Sequence, residues 1–210
     1  MLSENSKLVD SPYVLLVNPK VQANNVKELV ALAKAAPETI HYASSGNGSS
    51  QHLMGGLFVS MTGAPLKHVP YRGSSGAATD LVAGVVETSF AGVPNALSQV
   101  PQGRLKAFAV TTAKRIPQLP DVPTMQEAGV PGYEASVWLA LLAPAGTPKE
   151  IVNKLNSEIA KLMNTPDTKK ALYDAGVEPT PSSPEAMADY MVKEMDRWGK
   201  VVKDIGIKVE

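Results

Sequence analysis

The sequence predicts an α/β fold, and three observations carry that prediction. From Pro12 to Ala143 short apolar runs alternate with helix-periodic segments, the pattern of a doubly wound, mostly parallel sheet. A strand, a Gly/Ser turn and a helix follow one another twice, at HYASSGNGSSQH (His41 to His52) and at LKHVPYRGSSGAA (Leu66 to Ala78). From Thr147 onward amphipathic helices dominate.

Each element has its own sequence signal. Pro12 to Val17, PYVLLV, reads as a strand closed by Asn18 and Pro19. Asn25 and Glu28 form a capping arrangement before a helix whose apolar face is Leu29, Val30, Leu32 and Ala33. Thr39 to Ala43 suits a strand. Gly46 and Gly48 permit a tight turn after it. Ser49 or Ser50 caps the next helix, with Leu53, Met54, Leu57, Phe58 and Met61 as apolar positions. Leu66 to Tyr71 is a strand leading through Arg72-Gly73-Ser74-Ser75-Gly76 into a small-residue helix, Ala77 to Ala83. Val85 to Phe90 is a strand ending at Ala91-Gly92, with Pro94 in the first turn of the helix that follows. Leu105 to Thr111 is a further strand. The Pro/Gly-rich stretch Lys114 to Gly132 holds a short helix capped by Thr124 and Glu127. Ala135 to Ala143 reads as a strand buried on both faces.

The helical ending begins with a capping box at Thr147-Pro148-Lys149-Glu150. Ile151, Leu155, Ile159 and Leu162 form its stripe. A second helix spans about Asp167 to Ala175 and stops at Gly176. The third starts at Ser183-Pro184 and carries Met187, Met191, Met195, Trp198, Val202 and Ile205 on one face. Such methionine and tryptophan stripes are core signals rather than cofactor boxes.

Composition excludes several function classes. The 210 residues contain 20 Lys plus Arg and 20 Asp plus Glu, so there is no charge excess to draw nucleic acid or an anionic membrane. With no cysteine, disulfides and thiolate metal sites are absent. No window approaches about 18 apolar residues, so direct membrane insertion is not expected. The polar start MLSENSKLVD lacks the marks of a signal peptide. A dinucleotide fingerprint lacks its third glycine at Gln51, and neither a GxxxxGK[ST] loop nor a GxSxG elbow occurs. His41, His52 and His68 lack metal-ligand spacing. Ser49 or Ser50 as a nucleophile would need a base that no spacing supplies.

The glycine turn is a candidate anion site, with an ordinary strand-to-helix connection whose serines only cap as the competing reading. Beyond the carboxyl ends of parallel strands ligands bind, and the turns Ser44 to Ser50, Arg72 to Gly76 and Ala91 to Val93 would gather there. The first aims backbone N–H groups, hydroxyls and a helix dipole at one point, which suits a carboxylate or a phosphate. Arg72 is a candidate carboxylate partner, with a solvated turn residue as the competing reading. His52 reads first as a packing residue and second as a ligand contact.

The stretches YASSGNGSSQHLMGGLF, HVPYRGSSGAATDLVAG, AVTTAKRIPQLPDVPTMQEAGVPGYE, LAPAGTPKEIVNKLNSEIAKLMN and WGKVVKDIGI together resemble the substrate-binding receptors of tripartite tricarboxylate transporters, the Bug receptor family. The similarity runs from about Val9 to the C-terminus. It implies a periplasmic-binding-protein-like fold and capture, without catalysis or cofactor, of a small carboxylate-bearing molecule for membrane transporter subunits. The site carried over comprises Ser44, Ser45, Gly46, Asn47, Gly48, Ser49 and Ser50, then Tyr71, Arg72 and Gly73, then Ala91 and Gly92. Ala91, at a position often polar in relatives, implies a smaller and less polar pocket there.

Relatives continue further toward the N-terminus, with a signal peptide and most of a first domain, and nothing before Val9 matches those parts. The expected organisation is a lead-in (1–11), the ligand-binding domain (12–143) and a helical remnant of a truncated first domain (144–210). The expected location is periplasmic by resemblance, or cytoplasmic if Met1 is the native start. Unpartnered helical stripes imply a homodimer or swapped assembly. The alternative function is a cytoplasmic carboxylate sensor or an oligomeric interaction module.

Overall fold

The computed structural model describes residues 2–207. The strands are β1 (Leu2–Val17), β2 (His41–Ser44), β3 (Lys67–Pro70), β4 (Thr88–Gly92), β5 (Lys106–Val110), β6 (Ser136–Pro144) and β7 (Glu178–Pro179). The helices are α1 (Val26–Ala35), α2 (Ser50–Thr62), α3 (Ser74–Ala83), α4 (Val93–Gln99), α5 (Lys149–Met163), α6 (Pro166–Asp174) and α7 (Pro184–Asp204). The chain divides into two compact units. One is an α/β unit of Pro12–Ser136 with the chain from Lys200 onward. The other is a smaller unit of Val137–Gly199 with the chain up to Ser11.

The α/β unit holds strands in the order β3-β2-β4-β1-β5. β2 is parallel to β3 and β4, with Ala43 opposite Val69 and Ser89. β1 runs antiparallel to both β4 and β5, with Leu15 opposite Phe90 and Ala109. Four strands therefore point one way and β1 the other. Alternate side chains serve opposite faces. Val14, Leu16, Ala43 and Ala91 join Ala77 and Leu81 of α3 and Val93 and Ala96 of α4 in one apolar cluster. Elsewhere Phe58 packs tilted against Phe90, which stacks on Tyr133, with centroids 6.0 and 6.3 Å apart. Tyr133 donates its buried hydroxyl to the Met54 carbonyl at 2.9 Å.

The smaller unit is built on β1, β6, β7, α5, α6 and most of α7. Val9 and Asp10 pair with Pro179 and Glu178. Several expectations are corrected here. The lead-in is strand, because Asn5 and Ser6 are buried through hydrogen bonds rather than apolar burial. Asn5 Nδ2 donates to Val152 O, Ser6 Oγ donates to Ser182 O, and Asn156 Nδ2 donates to Asn5 O. β6 is not buried on both faces, since Leu139 and Leu141 are exposed. The α5 stripe faces outward: Ile151, Leu155 and Leu162 are exposed while Val152 and Met163 are buried. On α7 the buried line is Met187, Glu194 and Val201, and Met195 is 71% exposed. Glu194 is accommodated by Trp198 Nε1 at 2.9 Å and Arg197 at 3.3 Å.

The capping predictions split. Glu28 N–H donates to Asn25 Oδ1 at 2.9 Å and Glu28 Oε2 reaches back to Asn24 N–H. Before α5 no box forms: Pro148 is the N-cap, and Thr147 Oγ1 donates to Pro144 O. Thr124 and Glu127 do form a reciprocal box at 2.8 and 3.1 Å, but it closes only turns. The stretch between Pro123 and Gly129 is too short to propagate a helix.

Candidate functional site

The candidate site lies within the α/β unit, where three parallel strands hand over to helices. β2 ends at Ser44 and α2 begins at Ser50 under the N-cap Ser49, whose Oγ accepts from His52 N–H at 3.3 Å. Gly46 and Gly48 have φ of 138° and 74°, which side-chain-bearing residues rarely adopt. β3 leads through Tyr71, Arg72 and Gly73 into α3. β4 leads through Ala91 and Gly92 into α4. Gly73 and Gly92, the N-caps of α3 and α4, supply no side-chain cap, so the first amides of α3 remain open to a ligand.

The first two turns are tied together. Tyr71 N–H donates to Ser44 O at 2.9 Å, and Gly73 N–H donates to Ser45 O at 3.2 Å. Much of the glycine turn's own donor capacity is spent internally, which corrects the expectation of a nest of free amides. Ser45 N–H donates to Gln51 Oε1 at 2.8 Å, Gly46 N–H to Ser44 Oγ at 3.1 Å, Gly48 N–H to His52 Nδ1 at 3.1 Å, and Ser49 N–H to Gly46 O at 3.2 Å. The amides of Asn47, Ser50 and Gln51 have no partner among the described residues. These three, at the α2 N-terminus, are the ones available to an anion.

A ring stack braces the turn. His52 and His68 lie parallel, 3.7 Å between centroids, and Tyr42 stacks on His68 at 5.0 Å. His68 Nε2 meets Ser44 Oγ at 2.6 Å, and Ser44 Oγ also donates to Gly46 O. Because Gly48 N–H donates to His52 Nδ1, that ring is neutral with its proton on Nε2. Burial lowers the His52 pKa. Burial and then the adjacent His52 lower His68 to about 4. His52 thus packs against His68. Tyr71 donates its hydroxyl to Asp80 at 2.9 Å; burial, then that carboxylate, push it up to about 12. Arg72 is exposed, on the same turn.

The third turn joins the others through a cavity of about 310 Å³, whose walls include Gln51, Ser74 and Ala91. Ala91 contributes an apolar side chain to that wall. Sequence reading missed Gln51, Asn95, Gln99 and Arg104 on the cavity wall, while Ser74 belongs to the Arg72 to Gly76 turn it named. Gln51 had a usable signal, since it follows the N-cap Ser49 by two positions. Arg104 had another, as the only Lys or Arg between Arg72 and Lys106. Among the described residues no helix is long and apolar enough to cross a membrane, and no group of three or more His, Cys, Asp or Glu could hold a metal ion.

Comparison with known proteins identifies the family of the chain. A family model described as the tripartite tricarboxylate transporter family receptor matches residues 1–207. The UPF0065 protein in the tcbD-tcbE intergenic region of Pseudomonas sp. (strain P51) is 39% identical over 192 residues, 91% of this chain and 57% of its own length. This chain thus spans little more than half of that relative. Among solved structures, R. palustris Rpa4515 with adipate superimposes with a TM-score of 0.87 at 36% identity, over 98% of this chain and 69% of that one. The periplasmic binding protein BugD gives 0.83 at 31% identity, over 100% and 71%. The chain shares the α/β architecture of these solved structures, of which BugD is a periplasmic binding protein. The chain belongs to the tripartite tricarboxylate transporter receptor family.

Proposed function

We propose that this chain captures a small carboxylate-bearing molecule, without transforming it, for delivery to a membrane transporter, and that it does so in the periplasm. One observation carries the reading: Gln51, Ser74 and Ala91, from three successive strand-to-helix turns, share the wall of one cavity. The amides of Asn47, Ser50 and Gln51 and the uncapped start of α3 supply donors beside it, where helix dipoles favour negative charge. The adipate in Rpa4515 supports the ligand class, and the family supports the transporter partner. For the smaller unit we propose self-association, supported by the exposed apolar side chains Leu139, Leu162, Val192 and Met195.

A thermal-shift screen of the purified chain against mono-, di- and tricarboxylates tests the ligand reading. A ligand that binds only the folded state stabilises it by about 2.7 kcal/mol at one hundred times its Kd. A selective rise in Tm with one acid class is expected. Unchanged Tm across the panel at millimolar concentration would contradict the proposal.

A further inference from the structure

A second groove lies at the C-terminal end of α2, the end away from the glycine turn. Its cavity of about 390 Å³ is walled by α1, the last turn of α2 and the turn 128–131. Val26, Val30, Met61 and Val130 make the trough apolar, and Lys27 and Lys34 are the only charged residues on its wall. Gly129 has a φ of +100°, and a Cβ there would lie 2.8 Å from Lys27 Cε, so the lysine stem crosses bare backbone. The two lysines stand seven residues apart on α1, about 10 Å along its axis. Neither ammonium has a hydrogen-bond or ion-pair partner among the described residues. Such a wall fits an occupant with acids along one line and apolar side chains beside it. The outer face of α7 has that form. Met187, Glu194 and Val201 are its buried side. Opposite them Asp189, Val192 and Asp196 are exposed, with exposed Met195 next to Val192. Asp189 and Asp196 share the seven-residue spacing of the lysines, and Val192 lies between them as Val30 lies between Lys27 and Lys34. Neither carboxylate has a partner among the described residues. Lys193 stands about 100° round the helix from Val192, on the flank away from Met195.

We propose that the α1 groove receives the α7 face of a second copy of this chain. The inference rests on the self-association reading above and names the two surfaces that meet. Lys27 and Lys34 pair with Asp189 and Asp196, while Val192 and Met195 enter the trough beside Val30 and Met61. Because the two surfaces differ, the contact is heterologous. Exposed ion pairs contribute little one by one. The charged line fixes which surface is chosen and in what register, and the apolar side chains supply the burial.

Sedimentation velocity of the whole chain tests this with two charge reversals, Lys27→Glu with Lys34→Glu, and Asp189→Lys with Asp196→Lys. All four side chains are exposed, so the substitutions leave the core intact, and circular dichroism verifies that. Each variant alone is expected to associate at least about tenfold more weakly than the unsubstituted chain. An equimolar mixture of the two should regain association, because the first keeps its α7 face and the second keeps its groove. A chain carrying all four reversals should regain it as well. Loss in only one variant, loss in both without recovery on mixing, or loss in neither would overturn the pairing while leaving self-association standing. A single 22.2 kDa species in the unsubstituted chain would overturn both.

Discussion

The two units of this chain bury themselves by different means. In the α/β unit, β1 is fully buried from Val14 to Val17, and Phe58, Phe90 and Tyr133 form an aromatic interior. In the smaller unit the buried positions mix polar groups with modest apolar ones: Asn5, Ser6 and Glu194 beside Val152, Met163 and Met187. Many of its large apolar side chains face outward, with Leu139 at 57%, Leu162 at 59% and Met195 at 71% exposure. The first unit has an apolar interior and carries the candidate site. The second is held by a hydrogen-bonded polar network, and its apolar surface is left for other contacts.

The sharpest way to break that contrast is a pair of truncations. Phe90→Ala should cost about 3–5 kcal/mol in urea unfolding, the range for deleting a buried aromatic ring. Met195→Ala should stay within about 0.5 kcal/mol. Comparable losses at the two positions would erase the distinction. A smaller effect is expected at Gly55, where an added Cβ would run into the Tyr42 ring. Gly55→Ala should cost about 1–3 kcal/mol by overpacking. Because Tyr42 stacks on His68, it should also weaken carboxylate binding, whereas overpacking remote from the ring stack would not.

A pH titration sharpens the comparison further. The folded state holds His68 well below its ordinary value, at about 4. The unfolded chain therefore binds the extra proton first as pH falls. Stability from this group is fully present above about pH 6.5 and is lost as pH drops toward 4. Tm should fall across that window, and His68→Gln should flatten the fall. An unchanged slope in that variant would remove His68 from the account. The smallest expected effect concerns mass rather than folding. Sedimentation of the 22.2 kDa chain at tens of micromolar should show species heavier than one copy, and Met195→Lys should shift them toward one copy. A single 22.2 kDa species in the unsubstituted chain would contradict self-association.

The sequence was most legible where local chemistry decides the structure. The short apolar run PYVLLV, the φ-permissive Gly46 and Gly48, and the Asn25–Glu28 cap each act over a few residues, and each formed. What stayed hidden depends on partners far along the chain. The strand at Asn5 and Ser6 is stabilised by Val152, Asn156 and Ser182, so no apolar period marks it. Periodicity identified α5 and α7 as helices, but not which side is covered: Val152 rather than Ile151, and Glu194 rather than Met195, lie inward. At the site, residue types located the turns correctly but not their amides. The side chains of Ser44, Gln51 and His52 consume donors that the glycines alone would have left free. Arg104 could not be placed for a related reason, since only the pairing of β5 with β1 brings the start of β5 to the cavity wall.

The most direct test of the account is amide chemical-shift mapping during titration with adipate. Bound carboxylate should shift Asn47, Ser50, Gln51 and Ser74 N–H, the donors left open at the turns, and should spare Ser45, Gly46 and Gly48, whose amides already have partners. Shifts confined to the smaller unit, or none at saturating ligand, would contradict the claim that these turns form a carboxylate site.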